Sequence, residues 1–432
     1  MSSTPRPPDV GPAPGSAASP ATGSAYALGL LLVVYVFNHV DRQIMHILIE
    51  PVRVDLELSD TQMGALVGAA FAIFYTVAGL PIARIADRGN RRNLISIALA
   101  VWSLMTIASG LARGFFSLML ARIGVGIGEA GCTPPAHSLI LDYFPAEHRG
   151  TAIATYQLGV PIGSLIGLAL GGFIADVFGW RMAFFVVGAP GVLLAVITRF
   201  TLREPIRGLS DAGADTSLEP LGDVLRFMWS MKSLRHVLIA TSLQTLTLAA
   251  HGAWHASFLM RVHDMSLTEV GVTLGLVAGV AGGFATFSGG WLGDRLSRRD
   301  VRWYLWMPAI GAVASIPFSV IAYTTSGRTL AIVAVALSTL GSNLYAAVGH
   351  AVVQSLVKPR MRAVMSAIAL FAMNIVGFGV GPQLAGLVSD LLGGAEQIRY
   401  ALLILTGILL WAAVHYVLSA RTYVEDLRAK EA

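Results

Sequence analysis

Long apolar runs alternate with short polar interruptions along the chain, and no stretch shows the two-residue alternation of a half-buried strand. Runs of membrane-crossing length recur from Ala25 to Ala420, since a hydrocarbon layer of roughly 30 Å takes a helix of about 20 residues. Inside such a layer each backbone N–H and C=O has to be satisfied within its own segment, so each run predicts a helix. The spans fall at about 25–49, 62–86, 93–112, 115–141, 150–175 and 180–201, then 234–260, 268–292, 303–322, 329–356, 363–389 and 397–420. The pattern predicts an all-α polytopic membrane protein of two six-helix halves, 25–201 and 234–420. A polar linker, 202–233, joins them, with tails at 1–24 and 421–432.

Composition agrees with this reading. Hydrophobic residues make up 55% of the chain and charged residues 13%, and the mean hydropathy of +0.68 lies outside the range of soluble domains. The first 24 residues are mostly Pro, Ala, Gly and Ser with one cation, Arg6, which predicts a disordered tail and no cleaved targeting peptide. Cys132 is the only cysteine, so an intramolecular disulfide and a thiolate metal cluster are both excluded. The sequence pI near 9.5 is explained by loop cations, so no nucleic-acid partner is expected. With both termini cytoplasmic, the opposite side holds only Arg53, Arg113, Arg181, Arg261, Arg328 and Arg399. All other Lys and Arg except Arg42 and Arg122 then face the cytoplasm, the bias expected of a multi-pass protein of the cell (inner) membrane. A monomer is expected.

The halves repeat. "ADRGNRRN", with Asp87 and Arg88, follows the second span, and "GDRLSRRD", with Asp294 and Arg295, follows the eighth. "GGFIADVFG" around Asp176 is echoed by "AGLVSDLLGG" around Asp390. Both pairs fall at matching places, as a duplicated unit would put them.

Ionisable groups at membrane depth are few, and each is costly unless it faces a cavity or a partner. In "YVFNHVDRQIMHIL" the first span puts Asn38, Asp41, Arg42 and Met45 on one helical face, bordered by His39 and His46. The fourth span, in "ARIGVGIGEAG", carries Arg122 and Glu129 seven residues apart, roughly 10 Å along one face. That is too far for a direct pair, so the first span is expected to supply partners: Asp41 for Arg122 and Arg42 for Glu129, or a four-membered network. Burial favours the neutral form of a carboxylate and a nearby arginine favours the charged form, so a movable arginine makes such an acid take up or release a proton. Glu129, among glycines that allow close helix approach, is the first candidate for that proton, and Asp41 the second. Static compensation between helices is the alternative.

These motifs carry a family resemblance. The D-R-x-x-R-R loops resemble the signature of major facilitator superfamily transporters, with Ala83, Asn90 and Ser297 where that pattern has glycine. N-x-x-D-R at Asn38 to Arg42, R-x-G-V-G-x-G-E-A from Arg122 to Ala130, and D-R-x-N-R-R from Asp87 resemble the Spinster family of lipid transporters. The resemblance implies the twelve-helix fold of the superfamily, lysophospholipid or sphingolipid-like substrates, and proton coupling through a core matching Asp41, Arg42, Arg122 and Glu129. It also implies a cytoplasmic latch at Asp87, Arg88, Asp294 and Arg295, for which Arg149 in "DYFPAEHRG" is a partner.

The second half holds few ionisable groups at depth beyond histidines. His251 and His255 flank Trp254, and Asn374 lies in the eleventh span; His251, Trp254 and Asn374 are taken as lining the central cavity with Asn38 and His39. An apolar second half facing a charged first half suits an amphiphile with one polar head. Pro161 and Pro382 occupy corresponding places in the fifth and eleventh spans and predict bends there.

The combined expectation is a secondary active transporter, proton-coupled, for an amphiphilic lipid-like substrate by alternating access. A small organic anion or drug is the alternative substrate. An intramembrane enzyme is disfavoured because H-E-x-x-H and G-x-S-x-G are absent, no catalytic residue or metal site stands out, and no cofactor is expected. The nucleotide loop G-x-x-x-x-G-K-[ST] is also absent, so an ion gradient is left to drive transport.

Overall fold

The computed structural model describes residues 23–205 and 219–430. Most of the tail expected at 1–24, the middle of the linker, and the last two residues lie outside the described residues. Twelve helical units cross the bundle: α1 (Ser24–Ile47), α2 (Asp60–Arg88), α3 (Arg91–Gly110), α4 (Phe115–Tyr143), α5 (Ala146–Phe178), α6 (Trp180–Thr201), α7 (Lys232–His263), α8 (Leu267–Ser297), α9 (Trp303–Thr324), α10 (Arg328–Leu356), α11 (Pro359–Leu391) and α12 (Ala395–Ala429). Eleven are apolar enough to cross a membrane on composition alone. The exception is α7, whose Thr, Gln, Ser and His side chains are enclosed by protein: Gln244 donates to the Ser342 carbonyl (2.9 Å) and Thr245 bonds the Tyr345 hydroxyl (2.8 Å). A helix that finds partners inside the bundle does not need a lipid-compatible surface. The linker is not wholly irregular, because Leu221–Ser230 forms a helix anchored by buried Val224.

Chain punctuation follows backbone chemistry. Ser59 and Ser266 begin α2 and α8 with capping boxes closed by Gln62 and Glu269. Gly179, at φ 85°, makes the one-residue turn between α5 and α6 in a conformation that L side chains avoid. The bend in α5 falls at Leu158, three residues before Pro161. Proline brings no N–H to Gln157, and the ladder tightens so that Leu158 N–H meets the Thr155 carbonyl (3.2 Å). In α11 the turn before Pro382 widens into a π-helix over Met373–Val380. A second π-helix, Val277–Gly282 in α8, arises without proline and has no evident sequence signal.

Three hydrophobic cores organise the bundle. One belongs to the first half, from Ala27 and Leu31 to Ile140 and Leu202, and one to the second half, from Val224 to Tyr423. The third joins both halves at the end remote from the chain termini, where Ile44, Ile47 and Phe184 share a cluster with Trp254, Phe258 and Leu402. The halves are therefore fused at this far end and have separate cores toward the terminal end.

Candidate functional site

Ionisable side chains meet where α1, α2, α3 and α4 converge in the first half. Arg42 Nε donates to Glu129 Oε2 at 2.6 Å, with the Glu129 side chain fully buried and that of Arg42 28% exposed. The acid thus lies behind the cation, and the cation has access to solvent. The guanidinium also stands over two rings of α2, 5.1 Å from the centroid of Phe71 and 4.9 Å from that of Tyr75, and Arg122 stands 5.5 Å from Phe71. The sequence singled out neither ring, although Phe71 and Tyr75 sit four apart on one face of α2.

The partner expected for Asp41 is replaced by another. Asp41 accepts a hydrogen bond from Thr106 Oγ1 of α3 (2.5 Å) instead of meeting Arg122 directly. A hydroxyl in an otherwise apolar span gives no sequence signal of this kind, since most such threonines bond their own helix. Arg122 remains within electrostatic reach of both Glu129 and Asp41. Its Nε is buried with no hydrogen-bond partner among the described residues, and the Asn38 amide lies beside the Glu129 carboxylate. His39 borders the cluster, with Nδ1 bonded to the Tyr35 carbonyl (3.2 Å) and its ring edge on Tyr35 (4.5 Å).

The second-half candidates are placed differently. His251 is buried inside its own half, bonded to the Leu402 carbonyl at 3.2 Å, and His255 pairs with the Tyr323 hydroxyl (2.9 Å). Trp254 is fully buried and donates to the Pro382 carbonyl (2.9 Å) in the fused far end. Neither His251 nor Trp254 joins the Arg42–Glu129 cluster; the helical turn carrying them faces α9, α11 and α12. Asn374 is half-buried in the π-helix of α11. Closer to the terminal end, Thr241, Tyr345, Gly349, His350, Val353 and Met373 help line a recess of about 130 Å³ among α7, α10 and α11.

The far end is held by polar bonds between halves, none anticipated from the sequence. Arg261 of α7 donates to both oxygens of Asp60 (2.8 Å each) and to Glu50 (2.6 Å). Asp390 accepts from the Asp60 and Thr61 N–H groups and from the Thr61 hydroxyl, at 3.2, 2.8 and 2.6 Å. Asp176 does the same for Thr268 at the start of α8, at 3.3 Å to N–H and 2.6 Å to the hydroxyl. Backbone packing is tight here, since a Cβ at Gly64 would lie 2.5 Å from the Pro382 carbonyl oxygen.

At the terminal end, Asp87, Arg88, Asp294 and Arg295 are exposed. Asp294 accepts from the Tyr304 hydroxyl (2.9 Å), Arg295 stands over Trp291 (5.4 Å), and Arg149 Nε donates to the Phe144 carbonyl (3.2 Å). Buried Arg91 also bonds Asp142, Glu204 (2.8 Å) and Ser138 (2.8 Å) at this end.

Comparison with known proteins places this architecture. The Major Facilitator Superfamily profile matches residues 31–376. An MFS-type efflux pump of Mycolicibacterium smegmatis is 36% identical, with 93% of this chain and 94% of that protein aligned. Human protein spinster homolog 1 is 26% identical over 85% of this chain and 73% of its own. The crystal structure of a bacterial homologue of the human lysosomal transporter Spinster, inward-facing and unoccupied, superposes with a TM-score of 0.87 at 30% identity, covering 94% of this chain and 99% of that one. The chain belongs to the Major Facilitator Superfamily, as a multi-pass membrane transporter that resembles the Spinster proteins.

Proposed function

We propose that the protein is a proton-coupled secondary transporter of an amphiphilic, lipid-like molecule, working by alternating access in the cell membrane with both termini cytoplasmic. The observation that carries this reading is the Arg42–Glu129 pair, a buried acid covered by a partly exposed cation. Breaking it by moving Arg42 alone leaves a carboxylate in a low-dielectric interior, a state costing several kcal/mol. A proton on Glu129 removes that cost, and Arg42 is then released to meet a substrate head. Asp41, bonded to Thr106 rather than to an arginine, is the second group able to take a proton. The mostly apolar recess among α7, α10 and α11 has room for a few methylene groups of the substrate's chain.

On this reading the closed far end and the separate terminal cores are one side of a two-state cycle. Reversal requires the Arg261, Asp390 and Asp176 bonds to part and the terminal ends to meet, with the exposed Asp87, Arg88, Asp294 and Arg295, and Arg149, as the latch on that side. The relation to an efflux pump favours a second reading, export of a drug-like molecule through the same cluster.

The test is movement of a fluorescent lysophospholipid into proteoliposomes with and without an imposed pH gradient. Acceleration by the gradient, abolished in Glu129→Gln with folding intact, is the expected result. Normal gradient-driven uptake by that variant refutes the coupling role, and no movement above protein-free liposomes refutes the lipid substrate.

A further inference from the structure

A second cavity, of about 280 Å³, opens at the terminal end of the first half and is lined by Gly23, Tyr26, Ala27, Tyr143, Thr201 and Arg203. It lies where the start of α1 and the end of α6 are tied together, the Tyr26 hydroxyl donating to Thr201 Oγ1 at 2.6 Å. Two exposed rows end at that bond. On α6, Leu193, Val196 and Phe200 recur at three- and four-residue spacing, which is one helical face. On α1, Tyr26, Gly29 and Val33 do the same, and a Cβ on Gly29 would meet nothing within 4 Å, so this row has a dent. Val33 and Arg42 stand about two and a half turns apart, so the row lies on the side of α1 opposite the buried charges. Rows that are apolar, at membrane depth and turned from the central cluster have acyl chains as their solvent.

The polar end of these rows is cationic. Arg203 lines the cavity and Arg199 lies one turn earlier on α6; both are exposed, and neither forms an ion pair among the described residues. Arg199 stands 5.8 Å from the Phe200 ring, at the level where the apolar row stops. The hydroxyls of the cavity wall have no hydrogen left to give: Tyr26 donates to Thr201, Thr201 to the Ile197 carbonyl (2.8 Å) and Tyr143 to the Arg203 carbonyl. Each oxygen can still accept. No carboxylate lines the cavity, and Glu204, the next residue along, is taken by Arg91 (2.8 Å) and by the Arg92 N–H (2.9 Å). The wall therefore offers cations and acceptors, which together match a phosphate that carries hydroxyl groups. We propose that this cavity holds the head of an anionic phospholipid of the terminal-side leaflet, with its phosphodiester on Arg203 and Arg199, its polyol hydroxyls on the wall oxygens, and its acyl chains along the α1 and α6 rows. A zwitterionic head brings an ammonium to a wall that has arginine and no acid, so it binds less well. The lipid is a resident of the outer surface and not cargo, and the site stands whatever the protein carries.

Titration of the delipidated protein in detergent, read by native mass spectrometry, tests this with dioleoylphosphatidylglycerol, dioleoylphosphatidylethanolamine and glycerol 1-phosphate. Phosphatidylglycerol is expected to bind about ten-fold tighter than phosphatidylethanolamine. Arg203→Gln, at an exposed position, is expected to weaken phosphatidylglycerol about ten-fold and phosphatidylethanolamine less than about two-fold. Arg428→Gln removes an exposed cation outside the cavity and is expected to leave both lipids within about two-fold of the parent. Gly29→Leu fills the dent and is expected to weaken both lipids, while glycerol 1-phosphate, which has no chains, binds at least about a hundred-fold more weakly than phosphatidylglycerol in every variant. Equal losses in Arg203→Gln and Arg428→Gln mean that net charge alone attracts the lipid and overturn the site, as does phosphatidylglycerol binding that ignores Arg203→Gln. Glycerol 1-phosphate bound as tightly as phosphatidylglycerol assigns the cavity to a soluble phosphate and overturns the lipid.

Discussion

Arg261→Gln is expected to open the far end of the bundle. In the closed state the Arg261 side chain is 6% exposed and that of Asp60 1%, and the two are joined by a bidentate pair of 2.8 Å bonds. Glu50 adds a third contact at 2.6 Å, and Trp254 lies beneath the guanidinium at 5.6 Å. Glutamine fills part of this space but leaves Asp60 charged, with only Arg53 at 3.8 Å and the Ser389 hydroxyl at 2.6 Å beside it. Removing one member of a buried pair costs about 3–5 kcal/mol. The cost falls on the closed state alone, since separation of the halves lets water reach both carboxylates. A 3 kcal/mol penalty is about two decades in the equilibrium between closed and open far ends, enough to invert a population closed by ten to one. The change is read as a distance between spin labels at Glu57→Cys and Glu396→Cys, exposed positions on opposite halves. The sole native cysteine, Cys132, is buried and does not interfere. A lengthened label distance in the Arg261→Gln background is the expected result. A double variant, Arg261→Met with Asp60→Leu, exchanges the pair for apolar bulk and is expected to recover much of the short distance. If Arg261→Gln keeps the parent distance while remaining folded, or the double variant opens as far as the single one, the ion pair is not what holds the far end.

Further outcomes follow from the same geometry. Gly64→Val puts a side chain into the Pro382 carbonyl, 2.5 Å from the ideal Cβ, so the same label pair is expected to separate, with no loss of helix content by circular dichroism. Thr106→Val leaves Asp41 without its one hydrogen bond, and a lowering of stability by about 1–3 kcal/mol is expected in thermal unfolding. Arg42→Ala uncovers Glu129 without supplying a cation and is expected to reduce expression; Glu129→Gln added to it is expected to restore yield, measured by size-exclusion chromatography.

The bundle was largely legible because a hydrocarbon layer imposes a coarse rule, apolar runs of fixed length, that tolerates local noise. Each of the twelve expected spans has its helix in the structure within a few residues, apart from α12, which continues past the expected 420 to Ala429. The buried charges were legible for the converse reason, since Asp41, Arg42, Arg122 and Glu129 interrupt that rule. Beyond Arg42 for Glu129, which the sequence named, their partners were not legible. Thr106, Phe71 and Tyr75 are unremarkable in apolar spans, and only the crossing of α1 with α2, α3 and α4 brings them to the charges. His251 and Trp254 misled because one polar helix face looks like another in sequence; the choice between cavity and neighbouring helices depends on the rotation of α7 about its axis. Arg261 was visible only as one of six far-side cations, because its partners come from the other half of the chain.

The echo of Asp176 by Asp390 shows how a repeat gains meaning through contact. In sequence the two are matched marks near the ends of the fifth and eleventh spans. In space each crosses to the other half and receives backbone N–H groups at the start of α8 or α2, where Ser266 and Ser59 form matching caps. An acid at a helix N-terminus gains from the unmet N–H groups and from the positive end of the helix dipole. Duplication makes this arrangement available twice, and a two-fold relation between halves makes both copies act across the same seam. The two copies are not equal. Only the α2 side adds the Arg261–Asp60–Glu50 network, while the α5–α8 side closes through Asp176 and the bare backbones of Gly172 and Gly271, a Cβ on Gly172 lying 3.2 Å from the Gly271 Cα. The halves can therefore part with unequal ease along the seam. Asp176→Asn keeps a side-chain acceptor and removes only the charge, so it is expected to loosen the α5–α8 edge with little change across α2–α11, as measured by label pairs on each edge. Equal opening at both edges would mean that the halves separate as rigid bodies and that the seam has no weak side.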